Sequence, residues 1–152
     1  MVKLDFLCDP SCPLWLISMA TVPIHRGLTA NEVSHGIVTA AMRVHTRLGP
    51  GLLESTYQAC LQHELAKAGF RSEAQVGLPV VYDGVKLDLG YRIDGLVEDV
   101  VIVELKSTDA ISPVHQAQVL SYLKLSGKSI GLLINFNVIH LKDGIKRFVS
   151  TN

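Results

Sequence analysis

Three residues in the stretch "DGLVEDVVIVELKS", positions 94 to 107, are out of keeping with their neighbours. Asp94 and Glu104 bracket an apolar run, and Lys106 follows two places after Glu104. Two carboxylates at cross-strand distance, about 5 Å, repel one another, and burial raises the cost of charging both. A positive charge between them relieves that cost. Lys106 is one source, which would make the trio a half-buried structural network at a sheet edge. A hard divalent cation is the other, because Mg²⁺ favours one or two carboxylates completed by water and phosphate oxygens. In that arrangement the Leu105 backbone carbonyl is a further oxygen ligand, and Lys106 orients or helps deprotonate an attacking water. This is the chemistry of phosphodiester hydrolysis.

Whether the two acids meet depends on the hairpin that carries them. Side chains alternate along a strand, so Glu104, Lys106 and Ile102 share one face and Val101, Val103 and Leu105 the other. A two-residue turn at Glu98-Asp99 pairs Val97 with Val100 and sets Asp94 opposite Val103, on the face away from Glu104. An odd loop over Glu98, Asp99 and Val100 sets Asp94 opposite Glu104. It also joins Tyr91, Ile93, Val97, Val101, Val103 and Leu105 into one apolar face, so the hydrophobic pattern favours it.

The elements that must hold this hairpin are legible in the spacing. Apolar positions Val33, Ile37, Ala40, Ala41, Val44 and Leu48 predict a helix with Thr29 as N-cap and Glu32 as capping-box partner, ended by Gly49-Pro50-Gly51. Leu53, Tyr57, Cys60, Leu61, Leu65 and Ala68 predict a second helix that stops at Gly69. The period then changes to that of three antiparallel strands, over 74–82, 85–97 and 100–107. A third helix is expected from Ser112, with Pro113 in its first position, to Ser126. The run "IGLLINF" after it reads as a strand covered on both faces, and a last strand follows over 145–149. The order α-α-β-β-β-α-β-β makes an α/β fold, a mixed β-sheet flanked by helices.

Composition sets the outer bounds. The 152 residues suit one domain, with 48% hydrophobic and 18% charged residues. Fourteen basic and fourteen acidic residues cancel, so the chain as a whole has no long-range attraction for a polyanion, and any nucleic-acid contact must be local. Lys142, Lys146 and Arg147, and again Arg43 and Arg47, form modest basic clusters that also read as solvated faces. Cys8, Cys12 and Cys60 are too few for a disulfide framework, which points to a cytoplasmic protein with reduced thiols. The apolar stretch 14–24 is far short of the ~20 residues a membrane span needs, so no membrane partner is expected. Residues 1–27 lack periodicity and read as an irregular leader before a single domain over 28–152, with Met19 a conceivable internal start. An exposed edge of the sheet would allow a homodimer.

"YRIDGLVEDVVIVELK" resembles the PD-(D/E)XK nuclease superfamily, with Ile93 where the superfamily's name has Pro. "GPGLLESTYQACLQHEL" carries Gly51, Glu54 and Tyr57 in the spacing of the GxxExxY protein family, which is placed in that superfamily. "LPVVYDGVKLDLGYRIDGLVEDVVIVELKS" and "SPVHQAQVLSYLKLSGKSIGLLINFNV" are similar to its remaining blocks, so the likeness covers about residues 29 to 149. It implies a restriction-endonuclease-like core and a Mg²⁺-dependent (or Mn²⁺-dependent) nuclease acting on nucleic acid, DNA before RNA. Asp94 and Glu104 would be metal ligands, Lys106 the catalytic lysine, and Glu54 an acid supplied from the helix before the sheet. Gln118 and Tyr122 fit a Gln-x-x-x-Tyr element of RecB-like members, and His115 shares their helix face. The open alternatives are local. Glu54 suits a helix start without any metal, Tyr57 lies on an apolar stripe, His115 could face solvent and Gln118 could satisfy a backbone group. A catalytically silent nucleic-acid-binding or assembly module of the same fold is the rival to the enzyme.

Overall fold

The computed structural model describes residues 27–150. Most of the expected leader, including Cys8, Cys12 and Met19, lies outside the described residues. Helix α1 (Ala30–Leu48) starts on Thr29, whose hydroxyl accepts the Glu32 N–H while the Glu32 carboxylate accepts the Thr29 N–H, the expected capping box. Helix α2 (Glu54–Lys67) follows the Gly49-Pro50-Gly51 turn. Strands β1 (Ser72–Tyr82), β2 (Val85–Val97) and β3 (Val101–Lys106) come next, then α3 (Pro113–Ser126), β4 (Ile130–Asn135) and β5 (Ile145–Val149). The single addition to the expected order is a four-residue turn of helix, α4 (Leu141–Gly144), between β4 and β5.

The sheet has five strands in the order β1-β2-β3-β4-β5. All neighbours are antiparallel except β3 and β4, which run parallel because α3 crosses between them. The two parallel strands are buried along nearly their whole length, which is why their sequences are continuous apolar runs. Helices α1 and α2 cover one face, packing Val33, Ile37, Val44, Tyr57, Leu61 and Leu65 on Val101, Val103, Leu105, Leu132 and Ile134. Helix α3 covers the other with Val119, Tyr122 and Leu123 against Ile102 and Leu133. It approaches closely at Gly131, where a Cβ would lie 2.6 Å from the Val119 side chain.

Three stripe positions depart from expectation, one of them Ala68, the exposed C-cap of α2. Leu48, in the last turn of α1, is 40% exposed because the core ends before the helix does. Leu53 is the N-cap of α2 and 75% exposed, since its backbone is extended and its side chain is not on the helical stripe.

The hairpin register is the one the apolar pattern favours. Val97 pairs with Val101, Leu96 with Ile102 and Gly95 with Val103, so the loop is Glu98, Asp99 and Val100. Glu98 and Asp99 both take positive φ, and the Val100 N–H closes the turn on the Val97 carbonyl. The expected continuous apolar face does not extend as far as Tyr91 and Ile93. Tyr91 is half exposed, and Ile93 packs with Leu96 and Ile102 on the α3 side, while Val97 lies on the α1/α2 side. The strict alternation slips between Ile93 and Leu96, next to Asp94, because the ladder is broken there.

Candidate active site

Asp94 sits where pairing is interrupted on both sides. Toward β1, the pairs Ala74–Gly95 and Val76–Ile93 leave Gln75 facing Asp94 with a φ of 52°. Toward β3, regular pairing stops at Gly95–Val103. From there the Asp94 carboxylate takes over, with Oδ2 accepting the Leu105 N–H at 2.9 Å and Oδ1 the Gln75 side-chain amide at 3.3 Å. Leu105 therefore meets Asp94 through its backbone, as N–H donor.

Glu104 and Lys106 lie at the end of β3. Lys106 Nζ donates to Glu104 Oε1 at 2.6 Å and stands 3.8 Å from Glu54 Oε1. Glu104 is 2% exposed, and its other oxygen, Oε2, is buried without a hydrogen-bond partner. Burial pushes its pKa up to about 7, and the charges of Asp94 and Glu54 add to the rise against the pull of Lys106. Burial acts to lower the Lys106 pKa, but the hydrogen bond it donates to Glu104 and the charges of Glu104, Glu54 and Asp94 outweigh it, so Lys106 is held as an ammonium. Tyr122 is kept a phenol by burial and by Glu104 and Asp94, and its oxygen accepts the Gln118 amide at 2.7 Å. Gln118 thus serves a side chain near the acids. His115 is turned elsewhere: its Nδ1 accepts the Ser112 N–H in the capping box of α3.

Glu54 does both things its position allows. It opens α2, and its Oε2 accepts the Ser107 N–H at 3.1 Å, just past Lys106. The Ser107 hydroxyl donates to the Leu52 carbonyl at 2.6 Å, so two bonds tie this loop to the end of β3. Tyr57 secures the loop from below. Its hydroxyl donates to Gly49 O at 2.7 Å and accepts the Leu52 N–H at 3.1 Å, while its ring stacks on Phe136 at 4.3 Å. Gly51, at φ 96°, supplies the bend that a side-chain-bearing residue would resist. Tyr57 is therefore both packing and clamp.

Of these groups Glu54 and Asp94 border a cleft of about 360 Å³, lined also by Leu53, Ser55, Gln58, Gln75 and Leu105, whereas Glu104 and Lys106 do not line it. Sequence reasoning missed three of its supports. Gln58 donates to the Asp94 carbonyl at 2.7 Å, and its spacing of four from Glu54 was a usable signal, since both fall on one helix face. Ser107 lies one place after Lys106. Gln75 had no signal, because only the fold brings β1 to Asp94.

Among the described residues no group of three His, Cys, Asp or Glu side chains is close enough to form a ready-made metal cage. The donor set nonetheless suits a hard cation that keeps most of its water: two acids, one of them with a buried, unpartnered oxygen. Such an oxygen is costly unless a donor or cation meets it.

No curated protein and no solved structure matches the chain. A family model of the PD-(D/E)XK nuclease superfamily matches residues 31–148, a span that takes in every element from α1 to β5. With the broken hairpin at Asp94, the Glu-x-Lys end of β3 and this match in agreement, the chain belongs to the PD-(D/E)XK nuclease superfamily.

Proposed function

We propose that the chain is a metal-dependent nuclease that hydrolyses phosphodiester bonds in nucleic acid, DNA before RNA, and that it falls in the GxxExxY group on the strength of Gly51, Glu54 and Tyr57. The carrying observation is the unpartnered, buried Oε2 of Glu104 beside Asp94 and Lys106. Asp94 and Glu104, with the Leu105 carbonyl, would hold Mg²⁺ or Mn²⁺. When bound, the ion supplies a Lewis acid for the phosphate oxygens. Lys106, held as an ammonium, orients the attacking water and offsets negative charge on the phosphate. Glu54 fixes Lys106 from the far side, and Gln118 and Tyr122 close the α3 side of the acids. The experiment is incubation of the pure chain with single- and double-stranded DNA and RNA plus Mg²⁺ or Mn²⁺. Metal-dependent cleavage absent from Glu104→Ala and Lys106→Ala supports the reading, and cleavage equal in all three proteins overturns it.

The second reading, a catalytically silent nucleic-acid-binding module, draws on one observation: Lys106 already supplies Glu104 with a cation. Titration calorimetry separates the two, because a silent module takes up no Mn²⁺ that Asp94→Asn abolishes.

A further inference from the structure

Arg43 and Arg47, one turn apart on α1, play no part in the cleft, yet they are not loose surface charges. With Lys67 of α2 they converge on a single acid, Glu64. Arg47 Nη1 lies 2.8 Å from Glu64 Oε1, Lys67 Nζ 3.3 Å from the same oxygen, and Arg43 Nη1 4.0 Å from Oε2. The carboxylate side chain is 5% exposed, whereas the three cations are 56%, 65% and 51% exposed. One buried negative charge thus anchors three positive ones, leaving two in excess at the surface of a chain whose net charge is zero. Each guanidinium offers five N–H groups and spends few of them on Glu64. Beside the cluster a recess of about 260 Å³ opens between α1 and α2, floored by Val44, Leu48, Ala59 and Cys60, with Arg47 and His63 in its wall.

Helix α2 joins this face to the cleft. Glu54 at its start borders the cleft, and Glu64 lies ten residues on, about 15 Å at 1.5 Å per residue. That reach corresponds to roughly four phosphates of one strand of duplex at 3.4 Å each.

We propose that the face formed by Arg43, Arg47 and Lys67 binds the backbone phosphates of a nucleic-acid strand whose scissile bond lies in the cleft at Glu54 and Asp94. The inference rests on the nuclease reading of that cleft. Glu64 acts as a positioning residue that holds the cations in place. Burial opposes its ionisation, but Lys67, Arg47 and Arg43 overcome this and keep the acid charged. An acidic peptide would meet the same charges, and the shared helix that leads to the cleft favours the nucleic acid.

The test is fluorescence anisotropy of labelled 20-nucleotide single strands and duplexes with the full chain, in chelator so that nothing is cut, from 50 to 300 mM salt. The double variant Arg43→Gln, Lys67→Gln leaves the short Arg47–Glu64 pair intact. Its expected loss of two phosphate contacts lowers the salt slope by about 1.4 to 1.8, and affinity roughly thirtyfold near 100 mM salt. An unchanged slope and affinity overturn the proposal, as does a wild-type chain that shows no binding at 50 mM salt. Displacement by polyglutamate as efficient as by unlabelled DNA also overturns it, in favour of a protein partner. Should the double variant fail to fold, Arg43→Gln alone, at the longest contact, must still lower the slope by about half that amount. The nuclease reading fails separately: lost cleavage chemistry in the wild type with intact, patch-dependent binding sinks the enzyme and leaves the phosphate face standing.

Discussion

Glu64 and Glu104 are two acids of one kind buried to the same degree, 3% and 2% exposed, with opposite environments. Glu64 has three cations around it and both oxygens engaged, and its carboxyl is held below the ordinary range despite burial. Glu104 has one ammonium on one oxygen, nothing on the other, and a pKa driven up to about 7 by burial. Burial alone therefore says little about role. A buried acid that is fully paired is a structural anchor, whereas one left short of positive charge keeps an unmet demand for a donor or a cation.

The largest expected effect tests that distinction through activity. Glu104→Ala or Lys106→Ala should lower metal-dependent cleavage at least about a hundredfold, as loss of a charged group acting on a transition state does, while Glu64→Gln should leave kcat at saturating nucleic acid close to wild type and show its effect in KM, through the cations it positions. Gel assays at matched folded concentration check both. An equal loss in Glu64→Gln would erase the contrast.

Stability should move in opposite senses at the two acids. Glu64→Gln removes the charge that three cations share and should lower the thermal midpoint by several degrees. At Glu104 the folded pKa, about 7, lies above the ordinary 4.5, so the folded protein holds a proton that the unfolded chain releases. Wild-type stability contributed there is present at low pH and is lost as pH rises from about 4.5 through 7. The stability of Glu104→Gln relative to wild type should accordingly grow between pH 5 and pH 8, by on the order of 2 kcal/mol after allowance for solvent screening. Denaturant titrations at the two pH values measure it, and a difference independent of pH would contradict the raised pKa. For the same reason metal uptake should strengthen as pH rises, because a cation at Glu104 must displace the proton that burial holds there.

The smallest effect concerns how the cleft is supported. Tyr57→Phe keeps the stack on Phe136 but removes the bonds to Gly49 and Leu52, which should cost about 1 to 2 kcal/mol of stability. It should also weaken cleavage several-fold by loosening Glu54. A variant with wild-type stability and activity would reduce Tyr57 to simple packing.

Much of this was legible because the signals are local. The Thr29–Glu32 capping box, Pro113 at the start of α3 and the apolar runs of β3 and β4 depend on neighbours within a few residues, and the elements formed where they were expected. The odd hairpin loop followed from alternation, since only that register buries Val97, Val101 and Val103 together. The slip at Asp94 was not legible. It depends on the positive φ of Gln75 in another strand and on a side chain that substitutes for ladder bonding. Nor did periodicity show that Arg43, Arg47 and Lys67 share one acid, because their common partner is set by the packing of α1 on α2.

The amino-acid order by itself determined every element but the short α4, the register of the β2–β3 hairpin and the residue types at the end of β3, since periodicity, caps and turn length act over short stretches of chain. Only the tertiary structure decided which acid is paired and which is left wanting. That outcome depends on how much water each carboxylate loses and which cations reach it, and both are settled by helices and strands far apart in sequence.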